Sequence, residues 1–524
     1  MLATTSMALI PEEVGGGVGD EAVGRGSRSR PSSPAAGRAK RLSAFLVAGH
    51  FLGVCAFLIF PSATAATLSP EEALGRSRMA LQVARERNDR ELVAAVEKLG
   101  RAFQAGLPAD ADRQLRELEA RVGLDPGGWS MAGQPLFHPT PAIEAKSKDL
   151  AVRLAAAMKT DDPAQVRRVT AEMRAVLGPQ AGVPDGRRPG RKVPPNPLAE
   201  APATQLFLHA LNSESSRVRS LAAGKPLPDQ MLRVYAALLD AATTIHPAAA
   251  RHQPDALRDL EELSQGLAAI LIRLQQPAGH FPFPDLRGKN IRFGDLTEKQ
   301  LRAGTVEVRD GWLVSPDPDG GSQFDTGVAG TALLAAGQRY QNAAWQQAGL
   351  SAADWALGQP CCANFNYNAF SVSLLARAYR VTGDAKYLAG ALGKFRVGVA
   401  PGQAPNGRWL DAHNARTVYH VIILRALGDL AAALPPGPGT ERSEVELVTR
   451  PALTALLDEF DAMGITVEAL PELLTLRGVF PDNTRLRGAV ELMAASLIAK
   501  STDGQRIKMG AQPNQLAAVA LVWP

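Results

Sequence analysis

Apolar residues recur at helical spacing through most of the chain beyond residue 200. Tyr367, Phe370, Leu374 and Ala378 fall on one stripe, as do Val421, Leu424, Leu427, Ala431 and Leu434. The pattern predicts helices over 203–222, 229–245, 254–275, 326–340, 343–357, 367–381, 385–396, 414–433, 444–462 and 484–499, with a short last one over 514–522. Paired in order, these make five to six helical hairpins. Upstream, Ser69-Pro70-Glu71-Glu72 supplies a cap, a proline for the first turn and acids for the positive end of a helix dipole. It opens a helical hairpin over 69–122, in which Leu81, Val93, Val96, Leu99, Leu115 and Leu118 sit among Arg/Glu pairs. A third helix runs from 143 to 177.

A local repeat supports stacked hairpins. Tyr340-Gln341-Asn342-Ala343-Ala344-Trp345 and Thr382-Gly383-Asp384-Ala385-Lys386-Tyr387 each join one helix to the next, 42 residues apart. In both, an N-cap residue is followed three positions on by an aromatic.

Composition agrees with an all-α fold. Hydrophobic residues make up 46% and aromatics only 5%, short of the β-branched and aromatic supply that sheets use. The 48 glycines and 38 prolines place loops between the helices. Organisation follows: a basic pre-region (1–41), a signal peptide or membrane anchor (42–65), an N-terminal helical region (66–178), a Pro-rich linker (179–200) and a helical domain (201–524).

Export is the expected localisation. Arg25, Arg28, Arg30, Arg38, Lys40 and Arg41 precede an apolar run from Ala44 to Phe60, and Ala63-Thr64-Ala65 offers an A-x-A cleavage site. That implies a periplasmic or secreted protein; without cleavage, residues 44–60 would anchor it to the membrane. Cys361 and Cys362 are adjacent, so they are either two thiols or a vicinal disulfide. A net charge of +5, without clustered Lys/Arg, argues against a nucleic-acid partner. Phosphate-loop, dinucleotide, His-Glu-x-x-His and Gly-x-Ser-x-Gly patterns are missing, and no cofactor is expected.

Three segments carry a family resemblance. They are Gly279-His280-Phe281-Pro282-Phe283-Pro284, the run from Asp317 to Gly327, and Tyr379 to Leu388. The block 275–434 resembles the (α/α) toroid, or six-hairpin glycosidase-like, superfamily, which includes glycoside hydrolases and polysaccharide lyases. The resemblance implies a ring of hairpins around a funnel, with a poly- or oligosaccharide as partner.

Candidate chemistry concentrates where helices begin, because those residues would face the mouth of such a funnel. Trp409-Leu410-Asp411-Ala412-His413-Asn414-Ala415-Arg416-Thr417-Val418-Tyr419-His420 is the richest cluster. On a continuous helix His413, Arg416 and His420 share one face. Asp411 is either a functional carboxylate or a partner of the helix dipole. Asn364, Asn366, Tyr367 and Asn368 mix hydrogen-bonding and stacking groups suited to sugars, or equally a cap and core residues. Asp325 reads as an N-cap or as a catalytic carboxylate. Asp317 and Asp319 match part of a calcium loop without its later ligands. Trp312 and Trp409 are candidate sugar platforms, and His280 reads as a loop histidine.

Three functions stand. A polysaccharide lyase needs a base, an acid and a carboxylate neutraliser, and His413, Asn414, Arg416 and Tyr419 are of those types. A glycoside hydrolase needs two carboxylates, for which Asp325 and Asp411 are the candidates. The third is a non-catalytic protein binding a glycan or a partner.

Overall fold

The computed structural model describes residues 77, 80, 84, 90–106, 108–122, 141–184, 200–227, 231–285, 291–304, 306–309, 312–314, 321–437, 440–502 and 513–522. The signal segment and the calcium candidates Asp317 and Asp319 lie outside the described residues. In chain order the helices begin α1 (Arg90–Ala105), α2 (Ala111–Val122), α3 (Pro141–Met158), α4 (Pro163–Leu177), α5 (Glu200–Ser213) and α6 (Ser215–Ala222). Next come α7 (Leu232–His252), α8 (Leu257–Leu274), α9 (Ile291–Arg302), α10 (Gly321–Arg339), α11 (Ala343–Gly358), α12 (Phe365–Thr382) and α13 (Ala385–Gly398). The remainder are α14 (Ala412–Ala415), α15 (Thr417–Ala433), α16 (Glu441–Met463), α17 (Leu470–Val479), α18 (Thr484–Thr502) and α19 (Pro513–Val519). A small antiparallel sheet, in the order β1-β3-β2, comprises β1 (Phe283–Pro284), β2 (Glu307–Arg309) and β3 (Trp312–Val314), with Leu313 opposite both Phe283 and Val308.

Six helices close into an inner ring. α7 packs on α10, α10 on α12, α12 on α15, α15 on α17, α17 on α19, and α19 returns to α7. Each has an outer partner: α8 behind α7, α11 behind α10, α13 behind α12, α16 behind α15, α18 behind α17 and α5 behind α19. Five of these pairs are sequential hairpins. The sixth couples the last described helix to α5, so residues far apart in the chain complete the ring. The protein is therefore an all-α (α/α) toroid.

Local chemistry explains the hairpins. Asn342 caps α11 by accepting from Trp345 N at 3.2 Å, and Asp384 caps α13 by accepting from Lys386 N at 3.0 Å. Gly383 ends α12 in the left-handed region (φ 73°), where a side chain would be strained. Small residues let the inner helices approach. A Cβ on Gly327 would sit 2.7 Å from that of Phe370, so α10 can meet α12 this closely only with glycine there.

The core corrects several expectations. One apolar cluster runs from Leu150 to Val522, so α3 and α4 share the ring's core. Arg174 of α4 donates to the carbonyls of Pro401 and Gln403, and Gly182 N donates to Leu410 O. Arg174 and the first residues of the 179–200 segment thus pack on the 400–410 loop, and 185–199 lie outside the described residues. By contrast α1 and α2 have small clusters of their own, around Val96 and Leu115. Two long predicted helices are split, 143–177 at residues 159–162 and 203–222 at Glu214. The helix expected over 414–433 breaks at Arg416, whose backbone is extended (φ −60°, ψ 143°). The short helix α17 and the sheet lacked a readable period, and the amphipathic helix α9 was not anticipated.

Candidate functional site

The ring encloses a cavity of about 220 Å³. All six inner helices or their leading turns contribute to its wall, mostly through their first halves, so it lies toward the N-terminal ends of the ring helices. Phe324, Val328, Phe370, Val418, Tyr419 and Ile422 form its apolar wall. Phe324 and Phe370 stack at 4.1 Å, and the guanidinium of Arg233 lies 3.5 Å from the Phe324 ring centroid. Arg233 also grips Asp325 through two hydrogen bonds, Nε to Oδ1 at 2.8 Å and Nη2 to Oδ2 at 3.1 Å, with both side chains buried.

The polar part of the cavity is built differently. Arg425 stands 3.8 Å from Asp240, 3.8 Å from Asp429 and 4.0 Å from Glu472. These are contacts of charge without close hydrogen bonds. Asp429 is also the acceptor for the Ser373 hydroxyl, and Asn514 Nδ2 donates to Asp240 at 3.4 Å. Burial lifts the Glu472 carboxyl from 4.5 to about 7, although Arg425 pulls the other way. Burial works against the charge of Arg425, but Asp240, Asp429 and Glu472 outweigh it and raise its pKa. Four buried atoms on lining residues have no hydrogen-bond partner among the described residues: Thr331 Oγ1, Glu472 Oε2, Asn514 Oδ1 and Gln515 Oε1. A buried polar group left unsatisfied costs about 1–3 kcal/mol.

Of the sequence candidates, Arg416 and Tyr419 line the cavity. His413 is buried behind Tyr419, its ring stacked 4.1 Å away, and burial holds its pKa well below the usual histidine value, with Arg416 adding to the effect. The break at Arg416 removes the shared helical face expected for His413, Arg416 and His420. His420 instead points into the core, 2.8 Å from Ala452 O and edge-on to Trp409. Trp409 is fully buried and donates to Val399 O, so it is a core residue and no sugar platform. Trp312 is half-buried in the sheet, away from the cavity lining.

The remaining candidates form a brace behind the wall. Asp411 caps α14 by accepting from Asn414 N at 2.8 Å, and it also accepts from the Asn414 amide. Asn414 reaches across to Asn364 and Asn366, tying α14 to the start of α12. Asn368 holds Cys362 and Gly398 through their backbones, and Tyr367 is buried in the aromatic cluster with its pKa raised by burial. Asp325 lies inside α10 rather than at its cap, because the helix begins four residues earlier. Neither Asp325 nor Asp411 lines the cavity, so the carboxylate pair read from sequence is not the pair that faces the space. Cys361 and Cys362 are thiols not joined by a disulfide, the first pushed up to about 11 by burial. His280 is stacked on Trp355.

Sequence reasoning missed Asp240, Thr331, Arg425, Glu468, Glu472, Asn514 and Gln515, all on the cavity wall. The signal available was a lone charge in an otherwise apolar helix: Asp240 in Ala236–Ala242, and Arg425 with Asp429 in Val421–Ala433. Among the described residues, no group of three His, Cys, Asp or Glu side chains is placed to hold a metal ion.

Comparison with known proteins adds little beyond this geometry. No family model matches the chain, and no curated protein matches it significantly. Among solved structures it is similar to cellobiose 2-epimerase from Spirochaeta thermophila DSM 6192, with a TM-score of 0.36 and 12% identity, over 57% of this chain and 87% of that one. A likeness that weak carries neither fold nor activity across. The class stands on the helix contacts: an (α/α) toroid whose axial cavity has an apolar wall and a patch of charged side chains.

Proposed function

We propose that this is an exported protein that binds a saccharide in the axial cavity and hydrolyses a glycosidic bond there. The observation that carries the reading is a cavity at the centre of the ring whose wall sets Phe324, Phe370 and Tyr419 beside the charged side chains of Asp240, Arg425, Glu468 and Glu472. Sugars present this same combination, with hydroxyls for the polar patch and C–H faces for the rings.

The working pair moves from Asp325 and Asp411 to Glu472 and Glu468. Both line the cavity, Glu472 on the first turn of α17 and Glu468 on the 3-10 turn (Val467–Ala469) just before it. A carboxyl with a pKa near 7 is suited to hold a proton at neutral pH. Glu472 then donates its proton to the glycosidic oxygen as the bond to the anomeric carbon breaks. Glu468 takes a proton from the water that attacks that carbon. Export rests on the basic run, the apolar stretch 44–60 and Ala63-Thr64-Ala65. An N-terminus at Ala66 in protein recovered from the cell envelope would support it; intact protein in the cytosol would oppose it.

The test is to incubate mature protein with neutral, amino and anionic polysaccharides and measure new reducing ends. Hydrolysis predicts new reducing ends without ultraviolet-absorbing unsaturated products, and their loss in Glu472→Gln. Unsaturated uronates would instead select β-elimination, for which Tyr419 on the cavity wall, backed by His413, and Arg416 beside it are the available groups. Binding without either product would leave a glycan-binding protein.

A further inference from the structure

The axial cavity is closed at one end. Helices α7 and α15 stand opposite each other in the ring. Arg425 of α15 nevertheless comes within 3.8 Å of Asp240 of α7, so the two side chains meet on the ring axis. Glu472 of α17 approaches the same guanidinium at 4.0 Å, and Asp429, one turn along α15, accepts from Ser373 of α12. Asn514 of α19 donates to Asp240. Five of the six ring helices thus join in one polar layer across the axis, and Ser373 and Asp429 within it are buried. The other end of the cavity is wetter. Val418, in the first turn of α15, lines the cavity and is 37% exposed, and Phe370, Arg416 and Glu468 on the same wall are half-buried. Val418 and Arg425 are seven residues apart on α15, about 10 Å at 1.5 Å per residue.

We infer that the axial cavity is a blind pocket with its mouth at Val418 and its floor at Arg425 and Asp240, so that it takes the end of a saccharide chain and the protein acts on chain ends and short oligosaccharides. The interior of a polysaccharide needs two exits from a site, one for the chain on each side of the bond, and a floor across the axis leaves one. The volume agrees: about 220 Å³ lies below the roughly 300–1,000 Å³ of pockets that enclose drug-sized ligands, which leaves room for a terminal unit or two. Each turnover adds water across the glycosidic bond next to the seated end, the hydroxyl going to the anomeric carbon and a proton to the leaving oxygen, and releases a mono- or disaccharide. That the ligand is a saccharide rests on the reading above; that it enters by one end rests on the mouth and the floor alone.

Chain length separates the two. The probes are dimers to hexamers of the chitosan, cello- and malto-oligosaccharide series, with binding read by calorimetry on mature Glu472→Gln protein and products read by chromatography on the wild type. The expected result, in whichever series binds, is an affinity that levels off by the trimer and stays within about three-fold up to the hexamer. Wild type should release mono- or disaccharide from the hexamer first, without early trimer. Val418→Trp, which narrows the mouth at an exposed position, should weaken binding of the dimer at least ten-fold with little change in melting temperature. Affinity that climbs ten-fold or more from trimer to hexamer, or trimer as the first product, would overturn the blind pocket and leave the saccharide reading standing. Unchanged dimer affinity in Val418→Trp would place the entrance elsewhere and overturn the assignment. No binding and no product in any series would sink the saccharide reading, and the chain-end inference with it.

Discussion

Two arginines, one buried and one half-buried, reach the same cavity from opposite sides of the ring, and they are treated in opposite ways. Arg233 is matched by Asp325 through two short hydrogen bonds and lies over the Phe324 ring. Arg425 faces three carboxyl groups at 3.8–4.0 Å. A satisfied pair fixes the angle between α7 and α10 and leaves nothing for a ligand. A cluster held at 3.8–4.0 Å, beyond hydrogen-bond distance, leaves its charged groups less fully matched than the Arg233 pair. The first is architecture and the second is the proposed site.

The largest expected effect breaks the comparison at the second cluster. Glu472→Gln keeps the shape and removes the transferable proton, so kcat should fall by about 10²–10⁴-fold with little change in folding. Steady-state release of reducing ends measures it; unchanged turnover would remove Glu472 from the chemistry. Next comes the satisfied pair. Asp325→Ala strands Arg233 in the core and should lower stability by about 3–5 kcal/mol, read by urea unfolding. A small loss there would mean that the pair is not what holds α7 to α10.

A pH series sharpens the contrast. The Glu472 carboxyl is raised from 4.5 to about 7, so the folded state holds this proton more tightly than the unfolded one. The stability it contributes is full below pH 4.5 and is lost as pH rises through 7. Relative to Glu472→Gln, wild type should therefore lose up to about 3 kcal/mol across that window. A flat difference would contradict the shift. Thr331→Val replaces an unpartnered hydroxyl with a methyl group. It should leave stability equal or raise it by up to about 1 kcal/mol. The smallest effect is at the surface, where Arg396→Ala breaks an exposed pair with Glu444 and should cost under about 1 kcal/mol.

How much was legible follows from what each element needs. The hairpin joints were readable because Asn342 and Asp384 are local signals acting over three residues. The all-α class and most ring helices followed from long apolar stripes. Helix α17 was not readable because ten residues inside a ring are buried on several sides and show no polar face. The site was harder. Asp411, Asn364, Asn366 and Asn414 are unusual at helix starts because they form a hydrogen-bonded brace, and that structural need looks in sequence like chemistry. Trp409 stands out as a rare residue, yet its rarity reflects core filling. Arg416 and Tyr419 do reach the cavity wall. Glu472 and Asn514 could not be picked out, since their meaning depends on Arg425 and Asp240, which only ring closure brings near.

Whether the axial cavity is a saccharide site is decided by a crystal structure of Glu472→Gln with a chitosan oligosaccharide soaked at saturating concentration. A saccharide site there predicts sugar density in the cavity, with a ring against Phe324 or Tyr419 and a polar group within hydrogen-bond distance of residue 472. Density confined to another surface, with the axial cavity holding only solvent, would contradict it.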